Sequence, residues 1–124
     1  ADAILLVVRC VGDRLSELHA MASTLGMDVL VEVFDEAEAQ AALDIGADLV
    51  GINHRDLETF EVDNRRTASL APMLSGRATV VSLSGVSSRE EVVELARHGV
   101  EAVLVGESLV TAADPAEKVK ELLG

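Results

Sequence analysis

At 124 residues and 49% hydrophobic, the chain has material for a single domain, spanning 1–124, with its own core, and it has no apolar run that approaches a membrane span. Its formal net charge of −12, with no Trp or Tyr and only Phe34 and Phe60, argues against a broad contact with DNA or RNA and against an aromatic platform for stacking bases. The single Cys10 excludes an internal disulfide and a thiolate metal cluster.

A small phosphorylated ligand remains compatible with this acidity, because backbone amides and one or two cations suffice to hold a phosphate. The N-terminus lacks the basic, apolar, small-residue order of a secretory leader, so a cytoplasmic location is expected. Cys10 reads as a small, buried or half-buried thiol.

The first element expected is a strand near 4–8, within Ala1-Asp-Ala-Ile-Leu-Leu6. A helix follows in which Leu15, Leu18, Met21, Ala22 and Leu25 share one face. Gly26-Met-Asp-Val-Leu-Val31 then begins a pattern that returns as Gly46-Ala-Asp-Leu-Val50 and Gly99-Val-Glu-Ala-Val-Leu-Val105, with Gly76-Arg-Ala-Thr-Val-Val81 as a looser copy. In each, a glycine suited to the residue after a helix end precedes a short run rich in Val, Ile and Leu. Such unbroken runs mark strands covered on both faces, as in a parallel sheet.

The remaining strands fall near 29–33, 48–53, 79–83 and 101–105. Asp35–Glu38 reads as a capping box opening a helix that uses Ala39, Ala42, Leu43 and Ile45. Asp63 is placed to cap a helix through Leu70, with Pro72 near its end. Ser87–Glu90 reads as a second box, before Val92, Val93, Leu95 and Ala96. Asp114–Glu117 reads as a third, with Pro115 at the first helical position, before Val119, Leu122 and Leu123. The loop over 57–62 is the longest without periodicity.

Strand and helix thus alternate five times, and a helix in each crossover implies parallel pairing. This α/β pattern fits two architectures. One is an open doubly wound sheet; the other is five strand-helix units of a TIM (βα)8 barrel, which in full needs about 250 residues. A barrel piece alone exposes two edges and an apolar inner face, which favours self-association or pairing with a complementing segment.

Polar groups of interest sit at strand ends, where ligands bind in folds of this kind. Glu32 lies within Val29-Leu-Val-Glu-Val33. It reads equally as a strand-end carboxylate reaching water or a cation, and as an acid or base whose pKa burial raises. Asn53 offers both a donor and an acceptor. Arg55 suits a carboxylate, or a structural pair with the adjacent Asp56. His54 reads as an exposed loop side chain, and His19, His54 and His98 lie on different segments with no metal-ligand spacing. Ser84-Gly85 and Gly106-Glu107-Ser108 close the last two strands. Their glycines let backbone approach a ligand, so together they read as a phosphate site, or separately as two turns.

On these stretches the chain resembles indole-3-glycerol phosphate synthase. The resemblance runs through Ala3–Val8, Asp28–Val33, Gly51-Ile-Asn-His-Arg-Asp-Leu57 with Thr59-Phe60, Ser82–Val86 and Ala102–Leu109, in that order. It implies an eight-stranded βα barrel with this chain as strands four to eight. It further implies ring closure of a carboxyphenylamino-deoxyribulose phosphate with loss of carbon dioxide and water, in tryptophan biosynthesis, without a cofactor. In that resemblance Glu32 is a general base or charge stabiliser, Asn53 orients substrate hydroxyls, Arg55 supports the mouth and Ser84 contacts substrate. Gly85, Gly106 and Glu107 offer amides to the phosphate.

The family's catalytic lysines and a further glutamate belong to a region ahead of these strands, so the chain alone is expected to be inactive. The family also has Glu where this chain has Leu83. Arg9 and Cys10 replace small residues, Phe34 stands where His is common, and His54 where Asn, Ser or Ala is usual. Those differences at the mouth leave two further readings, a non-catalytic or engineered βα scaffold and a redesigned site using Glu32 or His54.

Overall fold

The computed structural model describes residues 1–55 and 65–124. The proposed cap Asp63, Asp56 and the 57–62 loop lie outside the described residues. In chain order the elements are β1 (Ala3–Val7), α1 (Val8–Val11), a 3-10 turn (Gly12–Arg14), α2 (Leu15–Thr24), β2 (Asp28–Val33), α3 (Glu36–Asp44), β3 (Leu49–Asn53), α4 (Arg65–Leu74), β4 (Thr79–Leu83), α5 (Arg89–Arg97), β5 (Ala102–Leu104), α6 (Glu107–Val110) and α7 (Pro115–Leu123).

The strands form one parallel sheet in the order β1-β2-β3-β4-β5. Each strand neighbours the next in sequence, so the strand order never reverses. A doubly wound sheet requires such a reversal, and that alternative is overturned; the sequential order is that of consecutive units of a TIM barrel.

The register sorts side chains into two faces. Leu6, Val31, Val50 and Val80 form one row across four strands, and Val33, Ile52, Ser82 and Val103 form the next. These rows pack beneath the helices with Ala39 and Ala42 of α3 and Leu70, Ala71 and Leu74 of α4. Burying each Val, Leu or Ile there contributes about 1.5–3 kcal/mol, so the helix-facing layer is the main stabilising core. The opposite, inner face carries Val7, Glu32, Gly51, Val81 and Ala102 in one row and Asn53, Leu83 and Leu104 in the next. At its edges Leu5 is 50% and Leu104 58% exposed.

Helix ends follow the sequence pattern. Gly46 has φ 72°, its amide donates to Leu43 O and the Ala47 amide to Ala42 O. This is a Schellman closure, and Gly26 and Gly99 repeat it. At the starts, Asp35 Oδ1 accepts from the Glu38 amide and Asp114 Oδ1 from the Ala116 and Glu117 amides.

Several expectations change. The capping box before α5 is Ser88 with Glu91, one residue later than expected, because Ser88 carries the extended N-cap backbone. The return arms of the other two boxes go elsewhere: Glu38 accepts from the Phe34 amide and Glu117 pairs with Lys120. Helix α4 runs past Leu70 to Leu74, with Pro72 inside it. Cys10 is exposed, since α1 is a short surface turn. Met21, Leu25, Val119 and Leu123, expected to face the core, are exposed, and Ala96 also faces water. Among the described residues, the large apolar side chains that face water, Leu5, Met21, Leu25, Leu104, Val110, Val119 and Leu123, all belong to the first and last βα units.

Candidate active site

Glu32 stands on the inner face between Val7 and Gly51. Burial raises its pKa above the ordinary 4.5, a side-chain hydrogen bond from Asn53 lowers it, the nearby Glu38 charge raises it and Arg9 lowers it, with a net rise. Both readings offered for this residue are therefore partly present: the carboxyl has a cation nearby and is still held toward its neutral form.

Asn53 is buried at the end of β3. As the residue diagonally across from Glu32, two positions beyond its register partner Gly51, it lies within side-chain reach. Its Oδ1 accepts from the Arg55 amide at 2.9 Å. Arg55 in turn donates from Nη2 to Glu107 Oε2 at 2.6 Å, a partner 52 positions away on α6. A hydrogen-bonded path thus runs from Asn53 through Arg55 to Glu107, tying the end of β3 to the start of α6.

The ends of β4 and β5 face a common open cleft of about 720 Å³, lined by Arg55, Ser84, Gly85, Gly106 and Glu107 with neighbours that include Ser87 and Glu91. Ser84 and Gly85 both adopt the left-handed region, at φ 68° and 75°, which turns the chain sharply away from β4. Ser108 Oγ donates to Val86 O at 2.8 Å and fastens the two loops together. Five of the residues expected at the substrate end therefore meet in one cleft, while Glu32 and Asn53 form a separate pair on the inner face.

Leu83 is buried on that same inner face and leans over Gly51. His54 departs from expectation most. It is fully buried, hydrogen-bonded through Nε2 to Thr67 Oγ1 and through Nδ1 to Ser82 Oγ at 3.0 Å. The cause is strand alternation: His54 follows Ile52 by two positions and so points to the helix side, away from Glu32.

Two side chains at the mouth were not anticipated, Arg66 and Glu38, and they meet the expected Arg9 and Phe34. Arg66 Nη1 donates to Asn53 O at 3.0 Å. The Phe34 ring lies between two guanidiniums, Arg66 at 3.5 Å and Arg9 at 3.8 Å from its centroid. Glu38 accepts from Arg9 Nε at 2.9 Å as well as from the Phe34 amide. Arg66 follows a region without periodicity, so no spacing signalled it. Among the described residues no three His, Cys, Asp or Glu side chains converge as a metal site requires, and no helix is long and apolar enough to cross a membrane.

A family model described as indole-3-glycerol phosphate synthase matches residues 1–122. The chain is 49% identical over 127 aligned residues to an indole-3-glycerol phosphate synthase of Aquifex aeolicus, covering 100% of this chain and 49% of that protein. It is 40% identical to the synthase of a Thermoanaerobacter species, covering 99% of this chain and 47% of the relative. A multifunctional tryptophan biosynthesis protein of Schizosaccharomyces pombe is 43% identical over 99% of this chain and 16% of its own length. The chain spans about half the length of the two bacterial relatives. Among solved structures it is similar to a tryptophan synthase α-subunit from Pyrococcus furiosus, with TM-score 0.77 and 24% identity over 100% of this chain and 55% of that one. A 3-hexulose-6-phosphate synthase gives TM-score 0.77 and 20% identity over 98% and 60%. At those identities the likeness speaks to the fold.

Proposed function

The chain belongs to the indole-3-glycerol phosphate synthase family, and we propose that it supplies βα units four to eight of a barrel that closes the indole ring of carboxyphenylamino-deoxyribulose phosphate. The observation that carries this reading is the convergence of Arg55, Ser84, Gly85, Gly106 and Glu107 in one cleft. Beside it, on the inner face, stands the Glu32–Asn53 pair. In this reading the cleft takes the phosphorylated end of the substrate, through backbone amides at Gly85, Gly106 and Glu107. Ser84 meets the substrate above it and Asn53 orients its hydroxyls. Glu32, whose pKa burial raises, takes up a proton released during ring closure or stabilises the positive charge that develops in it. No cofactor enters the reaction.

The general acid comes from the units ahead of this chain, and positioned acid catalysis contributes roughly 10²–10⁴-fold, so the chain alone is inactive in this reading. Exposed apolar groups at both edge units, from Leu5 and Met21 to Leu104 and Leu123, support such a partner segment. A second reading, a non-catalytic βα scaffold, draws on Leu83, an apolar side chain on the inner face where the family carries Glu. The geometry counts against a site built on His54, which lies on the helix side.

The test is indole fluorescence on adding the substrate, with and without the N-terminal segment of a related synthase. The chain has no Trp or Tyr, so its own background is dark. Signal only with the segment is the expected result. If that mixture is silent and Leu83→Glu in the same mixture is also silent, the catalytic reading fails. Recovery in Leu83→Glu alone assigns the defect to the missing carboxylate.

A further inference from the structure

We propose that Glu107 sets the anion affinity of the cleft by competing with an incoming phosphate dianion for Arg55. The inference rests on the reading that this cleft receives a phosphorylated group and adds an internal competitor to it. Among the described residues that line the cleft, Arg55 is the one cation, against the carboxylates of Glu91 and Glu107. The two carboxylates differ in how they are held. Glu91 Oε2 accepts from the Ser87 amide at 2.7 Å, Ser87 Oγ at 3.0 Å and the Ser88 amide at 3.1 Å, which fixes it to its own helix start. Glu107 instead reaches across the cleft, and its Oε2 takes Arg55 Nη2 at 2.6 Å.

That contact is strong in geometry and weak in standing. The Glu107 side chain is 71% exposed and Arg55 34% exposed, so water and salt screen the pair. Glu107 can turn into solvent at little cost. Arg55 is the more enclosed partner, and its backbone is anchored by the amide's bond to the buried Asn53 side chain. A phosphate dianion offers the guanidinium a bidentate, charge-assisted partner that a lone carboxylate oxygen in water does not match. The exchange therefore runs toward phosphate when a dianion is present and toward Glu107 when it is absent. A neutral ligand displaces nothing. Glu107 thereby acts as a specificity-determining residue for the phosphate monoester class, holding Arg55 in place until the correct charge arrives.

The experiment is an amide-resolved NMR titration of the 124-residue chain with inorganic phosphate and, separately, glycerol 3-phosphate, at fixed pH and ionic strength. The variants are Glu107→Gln, Arg55→Gln and the double variant, each with its thermal melt recorded to confirm the fold. Glu107→Gln is expected to tighten both probes by roughly two- to fivefold, the scale of losing an exposed ion pair. Arg55→Gln is expected to weaken them, and in that background Glu107→Gln is expected to change nothing. A tighter monoester than inorganic phosphate places the ester carbons in the cleft; equal affinities mean that the site reads the phosphate alone, and competition for Arg55 stands in both cases. Unchanged or weaker binding in Glu107→Gln overturns the proposal. A gain that persists without Arg55 also overturns it, because Glu107 would then act by simple repulsion. In those two outcomes the phosphate reading survives. Absence of binding in every variant overturns both, and the indole assay then judges the rest of the functional reading separately.

Discussion

Leu83 occupies the volume that a side chain on Gly51 would need: a Cβ built on Gly51 would lie 2.5 Å from Leu83 Cδ1 and 2.8 Å from its Cγ. The two residues are on adjacent strands of the inner face, so the apolar residue at position 83 and the glycine at position 51 form one packing unit. Gly51→Ala is expected to cost about 1–3 kcal/mol through overpacking. The cost should shrink in a Leu83→Ala background, where the space is open. Urea unfolding of the two single variants and the double variant measures this coupling, and strictly additive costs would contradict it.

His54 holds the ends of β3 and β4 to α4 from the helix side, through Ser82 and Thr67. His54→Leu keeps the bulk and removes the ring nitrogens, leaving two buried hydroxyls without that partner. The expected loss is about 1–3 kcal/mol, read as a lower denaturation midpoint with an unchanged slope. A loss of only a few tenths would mean that the ring serves as filler.

The Glu32 carboxyl is held toward its neutral form, its pKa raised above 4.5 chiefly by burial. A raised folded pKa means that this group's favourable contribution is full below the unfolded value and fades as pH climbs through the folded one. Glu32→Gln, neutral throughout, should therefore gain stability relative to the parent as pH rises from the ordinary 4.5 through the raised folded value. A side-chain carboxyl titration followed by carbon NMR should give a midpoint above the ordinary range. Asn53→Leu should move it higher still, since that hydrogen bond lowers it. A difference between parent and Gln variant that is flat with pH would contradict the assignment.

Ser88 caps α5 by accepting from the Glu91 amide, and Glu91 returns the contact to the Ser88 amide. Ser88→Ala should cost about 0.5–2 kcal/mol. Ser87→Ala, which removes a hydroxyl but no cap, should cost less. Burial pushes the Glu91 carboxyl up, but its bonds from Ser87 and Ser88 outweigh this and leave its pKa lowered. Its stabilising share is thus present above the unfolded value and fades as pH falls through the folded one. Thermal melts of both variants at neutral and acidic pH test the ranking.

The strands were legible because buried parallel strands write themselves as short Val, Ile and Leu runs, and the glycines before them mark helix ends that depend only on local backbone. Ser87 and Ser88 are chemically equal as caps, so the position of the box was settled by backbone direction and not by residue type. His54 could have been placed: the alternation through Val50 and Ile52 already assigned it to the helix side. The pairing of Arg55 with Glu107 is of another kind. Asp56 is adjacent and Glu107 is 52 positions away, and only the parallel return of β4 and β5 brings the distant acid close. The edge helices misled for a related reason. Met21, Leu25, Val119 and Leu123 carry core-like spacing but face water here.

The Schellman closure shared by Gly26, Gly46 and Gly99 makes three of the helix-to-strand joints alike, while the joint at Gly76 closes through Arg77 and Ala78 on Leu74 O. The residues that distinguish one unit's chemistry lie at the other ends of the strands. Joint and tool are thus at opposite poles of each βα unit. A unit exchanged with a relative's at these glycines should carry its own chemistry with it and leave the splice itself undisturbed.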